Sequence, residues 1–546
     1  MLRIWRTGRD RAVGGWRMIC GEGPGQVQFW LIALCVGIVA GLAAVGFRLG
    51  ISLLQSIVYG ANDRMLATHL AGLHWSWVVL IPILGGLVVG LILDRFTPDG
   101  RVRSVGHVIE GAALREGRVE KGPGLASALA SMITLSTGGS TGREGPVVHL
   151  GAVISSWVSD RIKADGVTGR DLLGCAAAAA VSASFNAPIA GALFALEVIL
   201  RHFAVHAFAP IVIASVAGTV IGRLLVGDVT EFSLPDPTLA FYVELPAFLI
   251  LGLLSGVVAA TLIFTLFIAE DVADVVQEQT RMRRWARPAI SGAMLGVIAV
   301  GFPHIIGVGY ETTSRALTGQ LTLADALVFA VVKVVAVAIT VAGRMGGGVF
   351  SPSLMIGALT GLAFGHVATA IFPSTSGWVG LYALAGMGAV AAAVLGAPIS
   401  TTLIVFELTG DWQAGIAVMV SVSLSCAISV RLVDRSYFLH QIERRGVHLA
   451  AGPQAYLPAT IDVGAIMRMR GGDQSASDTM CQELMEQGVQ LSRSDTLETA
   501  LPMFERSGAA FLPVVEDGDL LGAVFHLDAL KALNRALIAT AHEEHS

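Results

Sequence analysis

Charged residues are scarce in this chain of 546 residues, since only 14% of them are Asp, Glu, Lys or Arg. A soluble domain carries roughly a quarter charged residues, so this chain is not built to expose most of its surface to water. Cysteines are also few: there are five, an odd number, and none forms a CxxC pair. This count excludes a disulfide framework and a cysteine-based metal site.

Hydrophobic residues make up 54% of the chain, and its mean hydropathy is +0.70. They are concentrated in runs close to the length of about 20 residues that crosses a hydrocarbon core. Clear examples cover residues 29–58, 77–93, 245–268, 326–342 and 414–430. The composition therefore predicts an all-α polytopic membrane protein in contact with lipid.

Arginines are clustered before the first apolar run, in one loop and after the last run. They are Arg3, Arg6, Arg9, Arg11, Arg17, Arg281, Arg283, Arg284, Arg287, Arg431, Arg435, Arg444 and Arg445. The positive-inside rule predicts that these places, and hence both termini, are cytoplasmic. The first apolar run is too long for a signal peptide. Topology explains the arginines better than nucleic-acid binding does, so no nucleic-acid partner is expected.

The chain contains an internal repeat. Ala187-Pro188-Ile189, followed by Glu197, recurs 210 residues later as Ala397-Pro398-Ile399, followed by Glu407. A second pair of landmarks, described next, has nearly the same spacing. We therefore expect two homologous halves, at about residues 100–215 and 310–430. Helix-breaking segments at matching places in two halves are a pointer to a transport site.

The second pair of landmarks consists of two glycine-rich segments, each of which ends in a proline before an apolar helix. They are residues 140–146, which end at Pro146, and residues 344–352, which end at Pro352. Proline is favoured in the first turn of a helix, and helix N-termini attract anions. Two such N-termini that face one point would form an anion site without a buried full charge. Glu144 is itself an anion there, so it could occupy the ion's place and leave it when protonated.

These residues resemble the motifs of the chloride channel and transporter (CLC) family. Gly142-Arg143-Glu144-Gly145-Pro146 is the GREGP motif, and Gly348-Val349-Phe350-Ser351-Pro352 is similar to the GxFxP motif. Ser436-Tyr437, followed by Arg444-Arg445-Gly446, looks like the segment that bears the family's pore tyrosine. The resemblance covers about residues 30–446, and we expect residues 28–446 to form the transmembrane domain behind a basic segment at 1–27.

The resemblance implies a CLC-like inverted repeat of tilted and broken helices and a homodimer with one pore per subunit. The short loops and compact tail favour a bacterial inner (plasma) membrane location. It makes Glu144 the gating residue. The anion would contact the segment residues Gly142, Arg143, Gly145, Val349 and Phe350, together with the Tyr437 hydroxyl. No cofactor and no enzymatic activity are expected, and chloride or a similar small anion is the expected partner.

The family's first motif has no clean counterpart here. An ungapped alignment places residues 102–106 there, and a shifted register would bring Ser104 or Gly106-His107 to the pore. Arg103 is then either a pore residue or a positive-inside anchor, and the anchor is the simpler interpretation. Both Arg103 and Ser104 remain candidate anion-binding residues.

The position of the inner proton glutamate of family exchangers is occupied by Val198, which cannot carry a proton. Glu197 is adjacent but points about 100° away around a helix, and we interpret it, like Glu407, as a structural carboxylate. The sequence thus favours a passive chloride channel gated by Glu144. The alternative is a proton-coupled anion exchanger with an unusual inner proton route.

The tail, residues 447–546, is predicted to be cytoplasmic. Its pattern predicts a helix at 496–506, a strand at 511–515, a turn at Asp517-Gly518 and a returning strand at 521–525. This unit, at about 479–535, resembles a single CBS unit, whereas family tails usually carry two, so nucleotide binding is doubtful. A sensor that works mainly through this tail would not need the paired segments.

An intramembrane enzyme would need a nucleophile with a base, or a metal site. His202 and His206 lie four residues apart, but no carboxylate accompanies them. We therefore interpret them as an interfacial pair and expect no metal site.

Overall fold

The computed structural model describes residues 25–61, 65–203, 205–227, 243–373, 376–447, 457–471, 475–516 and 519–545. The predicted basic N-terminal arginines and the predicted Asp517-Gly518 turn lie outside these residues. Two compact units are present: one covers nearly all of the chain up to Val447, and the other begins at His448.

The first half of the larger unit consists of helices of very unequal length. They are α1 (Gln26–Tyr59), α2 (Leu66–Leu70), α3 (Trp75–Phe96), α4 (Val105–Leu114), α5 (Lys121–Thr137), α6 (Glu144–Ile162), α7 (Gly166–Phe185), α8 (Pro188–Phe194) and α9 (Val205–Val226). A π-helical turn, Ala195–Leu200, continues α8. Several of these helices are too short to cross a hydrocarbon core of about 30 Å, as the proline and glycine breaks in the sequence predict.

The second half repeats this mixture of long and short helices. They are α10 (Leu245–Thr280), α11 (Ala286–Gly301), α12 (Tyr310–Leu317), α13 (Leu323–Ala342), α14 (Phe350–Ile371), α15 (Val379–Leu395), α16 (Pro398–Thr409), α17 (Trp412–Val433) and α18 (Tyr437–Glu443), with a 3-10 turn at Pro303–Ile305 between α11 and α12. Within the described ranges, seven helices are long and apolar enough to cross a membrane. The prediction of a multi-pass membrane protein is confirmed.

Helices α7 and α15 form the interior, and every residue of α15 from Gly380 to Leu395 is buried. Their small side chains let neighbouring backbones approach closely, which is how helices associate in lipid. A Cβ atom on Gly357 of α14 would lie only 2.4 Å from the carbonyl oxygen of Gly386. Helices α14 and α15 therefore pack backbone against backbone.

The two halves contact each other reciprocally. The N–H of Ser140 donates to the Thr340 hydroxyl, and the N–H of Gly346 donates to the Thr134 hydroxyl, each over 3.1 Å. Each donor lies in one of the glycine-rich segments, and the two donors, like the two acceptors, are 206 residues apart in sequence. Such an exchange of equivalent contacts is expected of halves related by a two-fold axis. The predicted inverted repeat of tilted and broken helices, together with a small α/β unit, is confirmed.

Glu197 and Glu407 make a second reciprocal pair. The Glu197 carboxylate accepts N–H bonds from Ile399 (2.9 Å) and Ser400 (2.7 Å) at the start of α16. The Glu407 carboxylate accepts the equivalent bonds from Ile189 (2.9 Å) and Ala190 (2.8 Å) at the start of α8. Each carboxylate thus satisfies two N–H groups that a helix start leaves without intrahelical partners. Both glutamates are structural, as the sequence indicated.

The C-terminal unit is an α/β fold. Its helices are α19 (Leu457–Thr460), α20 (Val463–Ile466), α21 (Asp478–Glu486), α22 (Leu497–Ser507) and α23 (His526–His545), and its strands are β1 (Arg468–Met469), β2 (Leu491–Ser492), β3 (Phe511–Glu516) and β4 (Asp519–Phe525). The strand order is β1-β4-β3-β2, with β3 and β4 antiparallel and β2 parallel to β3. The core contains Leu497, Phe504, Leu512, Val514 and Val524. The predicted helix and both predicted strands are present within one or two residues of their expected bounds.

Candidate functional site

The two glycine-rich segments pair with each other at one point. Gly142 and Gly348 exchange both backbone hydrogen bonds, with N···O distances of 2.7 and 2.8 Å. A side chain at either residue would be crowded, because a Cβ atom on Gly348 would lie 3.1 Å from the Gly145 nitrogen and one on Gly142 would lie 3.0 Å from the Ser351 nitrogen. The glycines therefore favour the close approach of the halves.

Helices α6 and α14 begin on either side of this pairing, at Glu144 and Phe350. The residues before them, Arg143 and Val349, make no side-chain capping bond. The first N–H groups of a helix lack intrahelical partners and carry a partial positive charge. Two helix starts placed together, one from each half, create a region suited to an anion.

Glu144 occupies this region. Its side chain is buried, and its Oε1 atom accepts hydrogen bonds from the Tyr310 hydroxyl (3.3 Å) and from the Ser351 hydroxyl. The second carboxylate oxygen, Oε2, has no hydrogen-bond partner among the described residues. A carboxylate that two side-chain hydroxyls hold through one oxygen can be exchanged for another anion without unfolding the helix that bears it.

A small, mostly apolar cavity adjoins Glu144. It has space for about one water molecule, roughly 10 Å³. The residues that line it are Val105, Glu144, Gly145, Val148, Val181, Phe185, Phe194, Gly348, Val349, Phe350 and Phe438. The Phe350 ring lies 4.9 Å from that of Phe185 and 6.4 Å from that of Phe194, measured between centroids. The path past the carboxylate is therefore narrow and lined by aromatic rings.

A much larger cavity, about 300 Å³, lies next to it, and we call it the vestibule. Its charged lining residues are Asp99, Arg101, Glu270, Asp271, Asp274, Arg344, Arg444 and Arg445. Arg101 pairs with Glu270 (3.2 Å) and Asp274 (3.0 Å), and Arg344 pairs with Asp274 (3.1 Å). A chamber of this size, lined by several charged side chains, has room for water and hydrated ions.

Five residues line both cavities and so separate them. They are Val105, Gly145, Gly348, Val349 and Phe438. Gly348 is one of the two glycines that pair the segments, Gly145 follows Glu144, and the other three residues have apolar side chains. We call this set the collar. An ion that moves between the vestibule and the cavity at Glu144 must pass the collar, and the ring of Phe438 is its largest side chain.

Tyr437 and the adjacent Phe438 differ in the cavities that they line, since only Phe438 lines the cavity at Glu144. The Tyr437 ring stacks on Phe267, with 5.3 Å between centroids and 20° between planes, and it lines the vestibule only. The residue that reaches the cavity at Glu144 is Phe438. Among the predicted anion-binding residues, Gly142, Gly145, Val349 and Phe350 lie together around Glu144, whereas Tyr437 lies outside that cluster.

The residues of the unmatched first motif also separate. Ser104 precedes α4 and lines the vestibule, where its hydroxyl donates to Gln441 over 2.8 Å. Arg103 is buried and pairs with Asp99 (2.9 Å) and Glu120 (2.7 Å), and it lines neither the vestibule nor the cavity at Glu144. Of the two, only Ser104 is placed where an anion in the vestibule could meet it.

Arg143 and Val198 complete the predicted set. The Arg143 guanidinium lies 4.9 Å from the centroid of the Tyr310 ring, and it is buried. Val198 is buried on the π-helical turn beside Glu197.

Four further site residues were not predicted from the sequence: Tyr310, Ser351, Val105 and Phe438. Ser351 lies within a recognised motif, but nothing in the sequence connects Tyr310 with Glu144. No group of His, Cys, Asp and Glu suited to a metal ion occurs within the described ranges.

Comparison with known proteins identifies the family. A family profile described as voltage gated chloride channel matches residues 85–430. The chain belongs to this family, the CLC proteins. It is 29% identical over 394 residues to a putative chloride channel protein, ClcB-like, of Ralstonia nicotianae, which covers 71% of the chain and 91% of that protein. It is 27% identical over 436 residues to the H(+)/Cl(-) exchange transporter ClcA of Vibrio campbellii, with 78% and 91% covered.

The fold is also that of a solved CLC structure. A slow cyanobacterial Cl-/H+ antiporter superimposes with a TM-score of 0.68 at 23% sequence identity, over 77% of this chain and 98% of that one. The CLC relatives therefore bear both channel and exchanger names. Family membership makes this protein a multi-pass membrane protein for anion transport, as the sequence predicted.

Proposed function

We propose that this CLC protein is a passive chloride channel in which the Glu144 carboxylate is the gate. The observation that carries the proposal is the position of this carboxylate at the start of α6, where the two glycine-rich segments meet and where a permeating anion would bind. In this position the negative charge competes with chloride for the same helix N-termini. Protonation removes that charge and lets the side chain leave.

The proton-coupled exchanger is the second candidate. Its support is the exchanger name of the Vibrio relative and the antiporter structure that shares the fold. Against it stands Val198, a buried aliphatic residue where exchangers carry a proton-binding glutamate. We propose the channel because no ionisable side chain replaces this group at position 198.

The Glu144→Gln variant tests the gate. Glutamine has nearly the shape of protonated glutamic acid but no charge, so chloride efflux from liposomes at pH 7 should become at least about threefold faster. Glu116→Gln, which removes the same charge from an exposed side chain paired with Arg118, is the matched control and should leave efflux unchanged. Equal efflux from wild type and Glu144→Gln would contradict the gating role.

The same liposomes separate the two candidates if external pH is recorded during efflux. A passive channel lets chloride collapse the membrane potential without moving protons against their gradient. Chloride-driven proton uptake in the wild-type protein would show an exchanger, and the channel proposal would then be abandoned while Glu144 could still be the gate.

Other properties of the protein are also proposals. We propose a homodimer without enzymatic activity from the family resemblance, a bacterial plasma membrane from the short loops and compact tail, and cytoplasmic termini from the distribution of arginines. The C-terminal α/β unit is proposed to be a single CBS-like regulatory unit, and its strand and helix order from β2 to α23 supports this proposal. Adding ATP or AMP to the full-length protein during efflux measurements would test whether this unit responds to nucleotides.

A further inference from the structure

The gate carboxylate is held by a residue that lies far from it in sequence. Tyr310 is the first residue of α12, 166 positions after Glu144, and its side chain is only 4% exposed. Its hydroxyl donates to the same oxygen of Glu144 that accepts the Ser351 hydroxyl. Ser351 belongs to the second glycine-rich segment, whereas Tyr310 belongs to neither segment.

The loop before Tyr310 is anchored on both sides. The Nζ atom of Lys333, a fully buried residue of α13, donates to the carbonyl oxygens of Ile305 and Gly307, each over 3.1 Å. The N–H of Gly307 donates to the Gly139 carbonyl over 3.0 Å, just before the first glycine-rich segment. The loop is therefore tied both to α13 and to the segment that carries Glu144.

A tight turn then orients the tyrosine. Gly309 has a φ of 89°, in the left-handed region, and a Cβ atom there would lie 2.4 Å from the Met355 sulfur. Only glycine combines this backbone conformation with this close contact at no steric cost. Lys333 and Gly309 thus position the Tyr310 hydroxyl at the carboxylate.

The charged residues near the contact between the Tyr310 hydroxyl and Glu144 are Arg143, Lys333 and Glu311. Arg143 lies over the Tyr310 ring, and the Lys333 amine lies 3.5 Å from the Cβ position at Gly309. The other acidic residue here, Glu311, accepts a hydrogen bond from the N–H of Thr68 over 3.2 Å. The environment of Tyr310 therefore favours a negatively charged partner for its hydroxyl, and that partner is Glu144.

We propose that Tyr310 is the latch of the gate, a positioning residue that holds Glu144 in the anion-occupied place while the carboxylate is charged. This inference rests on the proposed function, in which the charged carboxylate closes the path. Hydrogen bonds to an ionised acceptor are about twice as strong as neutral ones, so the latch acts mainly on the charged form. Protonation of Glu144 removes its charge and at the same time weakens its hydrogen bond with Tyr310. The side chain can then leave the anion-binding place.

Tyr310→Phe removes the hydroxyl and keeps the ring under Arg143. Without the hydroxyl, the charged carboxylate is less stable and Glu144 is protonated at a higher pH. The pH of half-maximal efflux should therefore move up by about half a unit, and chloride efflux at pH 7 should rise about threefold. The matched control is Tyr59→Phe, which removes another buried hydroxyl, one that donates to the Thr137 carbonyl over 2.9 Å. Both variants are checked for a single peak in size-exclusion chromatography before flux is measured.

Combining Tyr310→Phe with Glu144→Gln separates the latch from the gate. No further effect of Tyr310→Phe in the Gln background, with the expected rise in the wild-type background, supports the latch. An equal rise in both backgrounds overturns it, because the tyrosine would then act on the pore directly. If Glu144→Gln raises efflux and Tyr310→Phe does not, the latch is wrong and the gate stands. If neither changes efflux or its pH profile, both proposals fail.

Discussion

Replacing Phe438 by alanine is expected to raise chloride efflux about tenfold, whereas replacing it by leucine should leave the rate within about twofold of wild type. Phe438 is the largest side chain of the collar between the vestibule and the cavity at Glu144. An apolar constriction excludes water, and an anion that crosses it loses part of its hydration shell. Alanine widens the constriction, while leucine keeps most of the apolar bulk in place.

A tenfold change corresponds to about 1.4 kcal/mol in the barrier. This is a modest effect for the loss of a complete ring beside a cavity with space for about one water molecule. The measurement is chloride efflux from liposomes, with the amount of folded protein set by size-exclusion chromatography. Wild-type efflux from Phe438→Ala would show that the collar does not limit conduction.

Tyr437→Phe examines the competing assignment. The family resemblance gives the Tyr437 hydroxyl a role in binding the central anion, and the structure places this ring on Phe267 in the vestibule instead. A large loss of chloride efflux in Tyr437→Phe, together with an unchanged rate in Phe438→Ala, would restore the tyrosine to the central site. The two variants together therefore identify which of the adjacent aromatic residues faces the ion path.

This ambiguity shows where sequence reasoning ends. Tyr437 and Phe438 begin the short helix α18, and successive residues of a helix differ by about 100° in direction. Both are aromatic, so the pattern alone does not indicate which ring points to Glu144. The direction is set by the packing of α18 against Phe267 and the collar, which only the three-dimensional structure shows.

The larger features were predictable because they depend on local composition. Long apolar runs determine the membrane-spanning helices, and proline after glycine predicted the helix starts at α6 and α14. The reciprocal spacing of Glu197 and Glu407 indicated matched halves.

The sequence left Arg103 as either a pore residue or a positive-inside anchor. Its ion pairs with Asp99 and Glu120 place it outside the vestibule. Tyr310 was missed because its contact with Glu144 joins separate parts of the fold.

The second large effect concerns stability. Glu197→Ala is expected to lower the free energy of unfolding by about 2–5 kcal/mol, since two N–H groups at the start of α16 each lose their acceptor. The cost is high because lipid offers these groups no replacement partner.

Symmetry between the halves provides the controls. Glu407→Ala should cost a similar amount at α8, and Glu197→Gln should cost less, because the amide keeps one acceptor oxygen. The measurement is the thermal unfolding temperature in detergent, which should fall by several degrees for either alanine variant. Efflux per folded molecule should stay near wild type, because neither carboxylate lines the vestibule or the cavity at Glu144. A normal unfolding temperature with altered proton movement in Glu197→Ala would instead mean that this carboxylate carries protons, and the structural role assigned to it would be wrong.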